Sequence, residues 1–456
     1  MSIVILIDFD HLASIVARIR GRKRREKESA MTTETLKNLA QRHAAGIKGG
    51  IASICSAHPL VIEAALLHGK ESGSQVLIEA TCNQVNQEGG YTGMTPAGFR
   101  RFVEGIADKV GFDPGQLILG GDHLGPNPWK HLPAEEALSR AEVMIDAFVA
   151  AGFTKIHLDT SMGCSGEGAA LADQVTAERA ARLAKVAEAA AVRSGFDKPV
   201  YVIGTEVPIP GGAMEVVEHL QVTTPQAALE TVEVHRTAFA ALGLQAAFER
   251  AIAVVVQPGV EFGNENVVFY DRPAARDLSA VLGRMPQFVF EAHSTDYQPV
   301  PALSALVDDG FRILKVGPGL TFALREALYG LDQIAAFLFD IPEEQTLHAA
   351  MERLMLAEPN HWGKYYHGDE QALRIQRHFS YSDRIRYYWP HATAQTAVDR
   401  LTALLGDRPI PETLVSQYLG ALYPQVAGGD LVPTPRNLLI ASVQRVVSDY
   451  AQACRS

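Results

Sequence analysis

Residues 117–124 read LILGGDHL, a short apolar run that ends on an Asp-His pair. Eight residues are too few for a typical buried helix. A run that is apolar at nearly every position fits a strand covered on both faces. Pro133 follows, where a helix can begin. Leu138, Ala141, Ile145, Phe148 and Val149 then fall on one helical face, and Gly152 stops it.

The same strand-then-helix unit recurs on both sides. Strand-like runs are read at 50–57, 75–81, 117–124, 155–161, 201–207, 251–257, 287–294 and 312–317. Residues 171–195 are rich in Ala, Glu, Arg and Leu, and Pro225 opens another helical stretch closed by Gly243. Eight such units over about 250 residues predict an α/β fold, a (β/α)₈ TIM barrel. A doubly wound open sheet is the alternative. It is disfavoured because no G-x-G-x-x-G follows the first run, and no P-loop motif occurs. The barrel is expected over residues 31–340 and a C-terminal helical region over 341–456. Residues 1–30 read as an N-terminal extension, an amphipathic segment with a basic tail, and Met31 is an alternative start.

The net charge of −11 makes nucleic acid a poor partner. The four cysteines form no C-x-x-C pair, which argues against a disulfide framework or a structural zinc site and fits a reducing, cytoplasmic setting. No apolar stretch reaches membrane-spanning length.

A barrel presents the C-terminal ends of its strands to the active-site face, so polar residues there carry the information. Run two ends near Glu79, Asn83 and Gln84, and run three on Asp122 and His123. Run four ends on Asp159, Thr160 and Ser161, and run five on Thr205 and Glu206. Run six leads to Gln257 and Glu261, and run seven to His293, Ser294 and Asp296. Asp, Glu and His converging on one face suit a divalent metal with acid/base groups. His157 lies early in run four and reads as a core or bottom-layer residue. Gly317, Gly319 and Thr321 form a turn into a helix whose free N–H groups suit a phosphate. Arg384 and Arg386 are either a phosphate clamp or packed structural residues.

Longer motifs are also present: CSAHPLVIEAALLHG, EATCNQVNQEGGYTGMTP, GGDHLGPNPW, HLDTSMGC, TEVPIPGGA, VQPGVEFGNENV, FEAHSTDYQ and FSYSDRIRYYWP. They closely resemble the GatZ/KbaZ family over nearly all of the chain after Met31. The resemblance implies a ketose-phosphate ligand and three possible roles. These are an accessory subunit of D-tagatose-1,6-bisphosphate aldolase beside a class II catalytic partner, a tagatose-6-phosphate 4-epimerase, or, least favoured, a tagatose-6-phosphate kinase. A homo-oligomer is among the assemblies allowed. The chain is also distantly similar to class II aldolases, which implies a divalent metal (Zn, Mn or Mg).

That likeness puts His123 and His293 on the metal, with Glu261 or Glu206 as a further ligand. Asp122, Asp159 and Glu206 become the acid/base candidates. Asn83, Thr160, Ser161, Gly317, Gly319, Thr321 and Arg384 become substrate-binding candidates. The aldolases carry another metal histidine after strand six, where this chain has Gln257, so a three-histidine site is not expected. A Schiff base through Lys315 is a further route.

Overall fold

The computed structural model describes residues 33–205 and 220–455. The expected N-terminal extension and Glu206 lie outside them. Eight parallel strands close into a barrel in sequential order. They are β1 (Ile51–Ile54), β2 (Val76–Thr81), β3 (Leu117–Leu124), β4 (Lys155–Leu158), β5 (Val200–Ile203), β6 (Ala251–Val255), β7 (Val289–Ala292) and β8 (Phe311–Val316). Each falls within or beside one of the eight runs read from the sequence. Closure is direct, with β1 pairing both β2 and β8 in parallel register.

The helices start and stop where local chemistry dictates. Thr95 and Thr224 cap helices that open on Pro96 and Pro225, each side-chain oxygen accepting a backbone N–H. Gly73, Gly111 and Gly195 end three helices in left-handed backbone, Gly111 closing the one that Thr95 caps. Helix Ala134–Ala150 buries Leu138, Ala141, Ile145, Phe148 and Val149, the stripe seen in the sequence.

Beyond the eighth helix (Pro318–Phe339) the chain is helical, as the loss of strand-like runs suggests. The last helix, Pro435–Arg455, packs on helices Pro59–Ser72, Val300–Asp308 and Pro318–Phe339. It therefore fills out the barrel's own helical shell. A 3₁₀ segment, Arg384–Tyr388, reaches over the mouth. It is pinned there by Tyr381 N–H donating to Asn264 O at 3.0 Å and by the Tyr297 hydroxyl donating to Tyr381 O at 2.6 Å. Asn264 belongs to a feature the sequence did not announce, a short antiparallel hairpin of Glu261–Phe262 against Val267–Val268 after β6.

One glycine shows how tightly the barrel centre is filled. A Cβ on Gly120 of β3 would lie 2.2 Å from Glu79 Oε1. The glycine makes room for a buried carboxylate on the neighbouring strand. Gly120→Ala is therefore expected to lower the unfolding free energy by about 1–3 kcal/mol, read from the urea midpoint at constant m.

Candidate functional site

Four charged side chains fill the barrel beneath its mouth. Glu79 comes from β2, Lys155 from β4, Glu291 from β7 and Lys315 from β8. Lys155 Nζ lies 2.8 Å from Glu79 and 2.7 Å from Glu291. Lys315 Nζ pairs with Glu79 and lies 3.7 Å from Glu291. The four form a closed ring of alternating sign. Burial alone would pull the Lys155 ammonium down, but Glu291 and Glu79 outweigh it and hold it above its usual range. Lys315 is likewise held well above its usual range against burial, by Asp122 first. Removing one member would strand a buried charge, at a cost of about 3–5 kcal/mol.

Above the ring stand three histidines. The His123, His157 and His293 ring centroids lie 4.8–5.2 Å apart. Each imidazole has one nitrogen on a buried carboxylate. His123 Nδ1 is 2.7 Å from Asp159, His157 Nδ1 is 2.9 Å from Asp122, and His293 Nε2 is 3.0 Å from Glu291. Asp122 is anchored in turn by Lys315 at 2.8 Å. His157 Nε2 is buried and has no hydrogen-bond partner among the described residues. The backbone is strained at this level: His123 and Ser294 have φ of 48° and 54°.

The electrostatics follow from burial and these pairs. Burial would raise Asp122, but His123 and Lys315 hold it well below the usual carboxylate range. Burial works against ionisation of Asp159 too, yet His123 brings it to about 2. Burial lowers His293 to about 4 despite Glu291. Lys315 is thus a protonated ammonium and a poor nucleophile, which removes the basis for a Schiff-base route.

A cleft of about 90 Å³ opens over these groups. Asp122, His123, His293, Asn83, Lys315 and Gly317 line it, together with Tyr91 and Arg386. Other expected site residues stand elsewhere. Asp159 backs His123, and Ser161 donates to Asp159 at 2.8 Å. The Thr160 hydroxyl is spent on Thr176 O at 2.7 Å. The Gly317–Gly319 turn is not an open phosphate cradle, because Asp296 accepts from both N–H groups at 2.9 and 2.7 Å. Burial keeps that carboxyl at about 6. Thr321 donates to Asp383 at 2.6 Å. The Arg384 guanidinium lies over Tyr365, 3.3 Å from the ring centroid, and bonds His361 O. Arg386, two residues on, is the arginine that lines the cleft.

The metal-ligand expectation is also redrawn. Asp122, His157, Glu291 and His293 each offer a donor atom within 4.8 Å of the others. Neither His123 nor Glu261, both expected as ligands, is among them. Glu261 sits in the hairpin, accepting from Phe262 N–H at 2.9 Å. Gln257 turns away from the centre, accepting from Gly259 and Val260 N–H at 2.8 and 3.0 Å. His157, read from the sequence as a core residue, stands among the donors. A nitrogen- and oxygen-donor set with an orphaned buried imidazole nitrogen fits a divalent cation. Two imidazoles with carboxylates on their far nitrogens follow the usual pattern of metal-binding histidines.

Fold and site together define a (β/α)₈-barrel protein with an acid/base centre suited to a divalent metal. The family model "D-tagatose-1,6-bisphosphate aldolase subunit GatZ/KbaZ-like" matches residues 36–455. The chain belongs to this GatZ/KbaZ-like family. It is 56% identical over 422 residues to the D-tagatose 6-phosphate 4-epimerase of Agrobacterium fabrum (strain C58 / ATCC 33970), covering 92% of this chain and 98% of that one. A crystal structure of a probable tagatose 6 phosphate kinase from Sinorhizobium meliloti 1021 is 60% identical, with a TM-score of 0.83. That match covers 89% of this chain and all of the other.

Glu261 supplies a pH test of the site's surroundings. Burial raises its carboxyl from 4.5 to about 7. The native state therefore binds more protons than the unfolded chain between those values, and this group's contribution to stability falls as pH rises through them. Glu261→Gln should gain stability relative to the parent from pH 4.5 to about 7 and level off above, read from urea midpoints at each pH.

Proposed function

We propose that this chain is a divalent-metal-dependent epimerase that inverts C4 of tagatose 6-phosphate to give fructose 6-phosphate. The carrying observation is the trio of imidazoles, each backed by a buried carboxylate, beneath a cleft that Asp122 also faces. The name of the Agrobacterium relative supports the choice of substrate.

His157 and His293 would hold the metal, with His123 as the third imidazole. When bound, the metal supplies Lewis-acid polarisation of the C2 carbonyl. Asp122 lines the cleft and is held as a carboxylate by His123, Lys315 and His157. Its Oδ2, on which the Cys55 thiol makes only a long contact at 3.7 Å, takes the C4 hydroxyl proton. The C3–C4 bonding pair moves into the C1–C3 fragment as an enediolate, and C4 becomes an aldehyde. The aldehyde then presents its other face to C3, the bond re-forms, and the new C4 oxygen takes up a proton. Atoms and electrons balance with no oxidant.

Asp159 and Glu291 are positioning residues. They fix the orientation of His123 and His293 through the far ring nitrogens. The ammonium of Lys315 keeps Asp122 ionised, and Lys155 completes the neutral floor.

The accessory-subunit reading drew on the histidine missing at Gln257. His157 supplies another imidazole from β4, so that argument loses its force. The test uses the purified chain alone with tagatose 6-phosphate and Zn²⁺, Mn²⁺ or Mg²⁺, without ATP. Fructose 6-phosphate is expected, and excess EDTA should abolish its formation. Full activity in EDTA would refute the metal, and ADP release on adding ATP would favour a kinase. Silence alone, with bisphosphate cleavage restored by a class II partner, would favour the accessory role.

A further inference from the structure

A second cavity of about 370 Å³ lies beside the catalytic cleft. Cys55, Gln84, Tyr91, Gly317 and Arg386 line both spaces, so the two are neighbours that share one wall. The far wall is largely apolar, with Met94, Phe102, Leu328 and Val398. Trp389 also lines it, is 5% exposed, and has an indole N–H without an acceptor. None of these far-wall groups enters the mechanism above.

The proposed epimerisation sets a geometric demand that the catalytic cleft does not meet by itself. After C3–C4 cleavage, the C4–C6 aldehyde phosphate must turn its carbonyl over without leaving. That motion needs free volume beside the enediolate and a fixed point for the phosphate. We propose that the second cavity is the turning space for this aldehyde phosphate fragment, with Arg386 at the seam as its pivot. The inference rests on the epimerase reading.

The observations fit each part of the demand. Arg386 lies at the junction, where a phosphate can stay bound while the carbonyl end swings. Its guanidinium is held by Ser382 O and Asp383 O and by the Tyr387 hydroxyl at 2.9 Å. Burial opposes its charge, but Tyr387 and Tyr91 are among the groups that keep it protonated. An apolar wall lets the aldehyde turn, since it offers few hydrogen bonds to arrest one face. Water carries the proton held by Asp122 to the C4 oxygen after the turn.

Filling the cavity separates turning from cleavage. Met94→Trp and Val398→Phe each add bulk to the far wall and touch no catalytic group. Fructose 6-phosphate formation is measured beside release of glyceraldehyde 3-phosphate from tagatose 6-phosphate, with melting temperatures checking the fold. In at least one folded variant, epimerisation should fall about tenfold while triose-phosphate release persists or rises. Unchanged epimerisation in both folded variants would overturn the proposal, as would a proportional loss of both reactions. No turnover by the unaltered chain would instead remove the epimerase reading on which it rests.

Discussion

Four alternating charges in the barrel centre constrain everything above them. An ammonium or carboxylate placed alone in such an interior would cost several kcal/mol. Glu79, Lys155, Glu291 and Lys315 are tolerable because each meets opposite charges, and the set is neutral. The ring also fixes geometry. Lys315 holds Asp122, and Glu291 holds His293, so two active groups inherit their positions from the floor. Gly120 is part of the same constraint, since any side chain there would collide with Glu79.

The imidazoles extend this order upward. A carboxylate on one ring nitrogen sets the tautomer and leaves the other nitrogen as the working atom. That arrangement occurs three times within a few ångströms, which is far more specific than any single polar residue at a strand end. After strand six, Gln257 serves a turn, while β4 places His157 beside His123 and His293. The mouth is then roofed from the C-terminal region, whose Arg386 and Tyr387 complete the cleft.

The barrel was legible because its strands are apolar runs punctuated by Pro and Gly, and each helix carries its own start and stop signals. Asp122, His123 and His293 were legible because they sit at strand ends. His157, read as a core residue, is fully buried inside the barrel, and parity shows which way it faces. Lys155, His157 and Asp159 alternate along one strand and so share a face, which puts all three inside the barrel. The same parity links Glu291 to His293. What no local pattern shows is which lysine meets which glutamate, because those pairs form only when β2, β4, β7 and β8 close around a common axis. The phosphate turn failed for a related reason. Asp296, which occupies its N–H groups, is adjacent in space but more than twenty residues earlier in the chain.

The central claim is that the carboxylate-backed imidazoles, His157 among them, form a metal centre. Metal content of the purified chain and of His157→Ala, measured by inductively coupled plasma mass spectrometry after equilibration with Zn²⁺ and desalting, tests it most directly. The account predicts about one metal per parent chain and little or none in a His157→Ala variant that keeps the parent's circular dichroism. Equal metal content in the two proteins would contradict it.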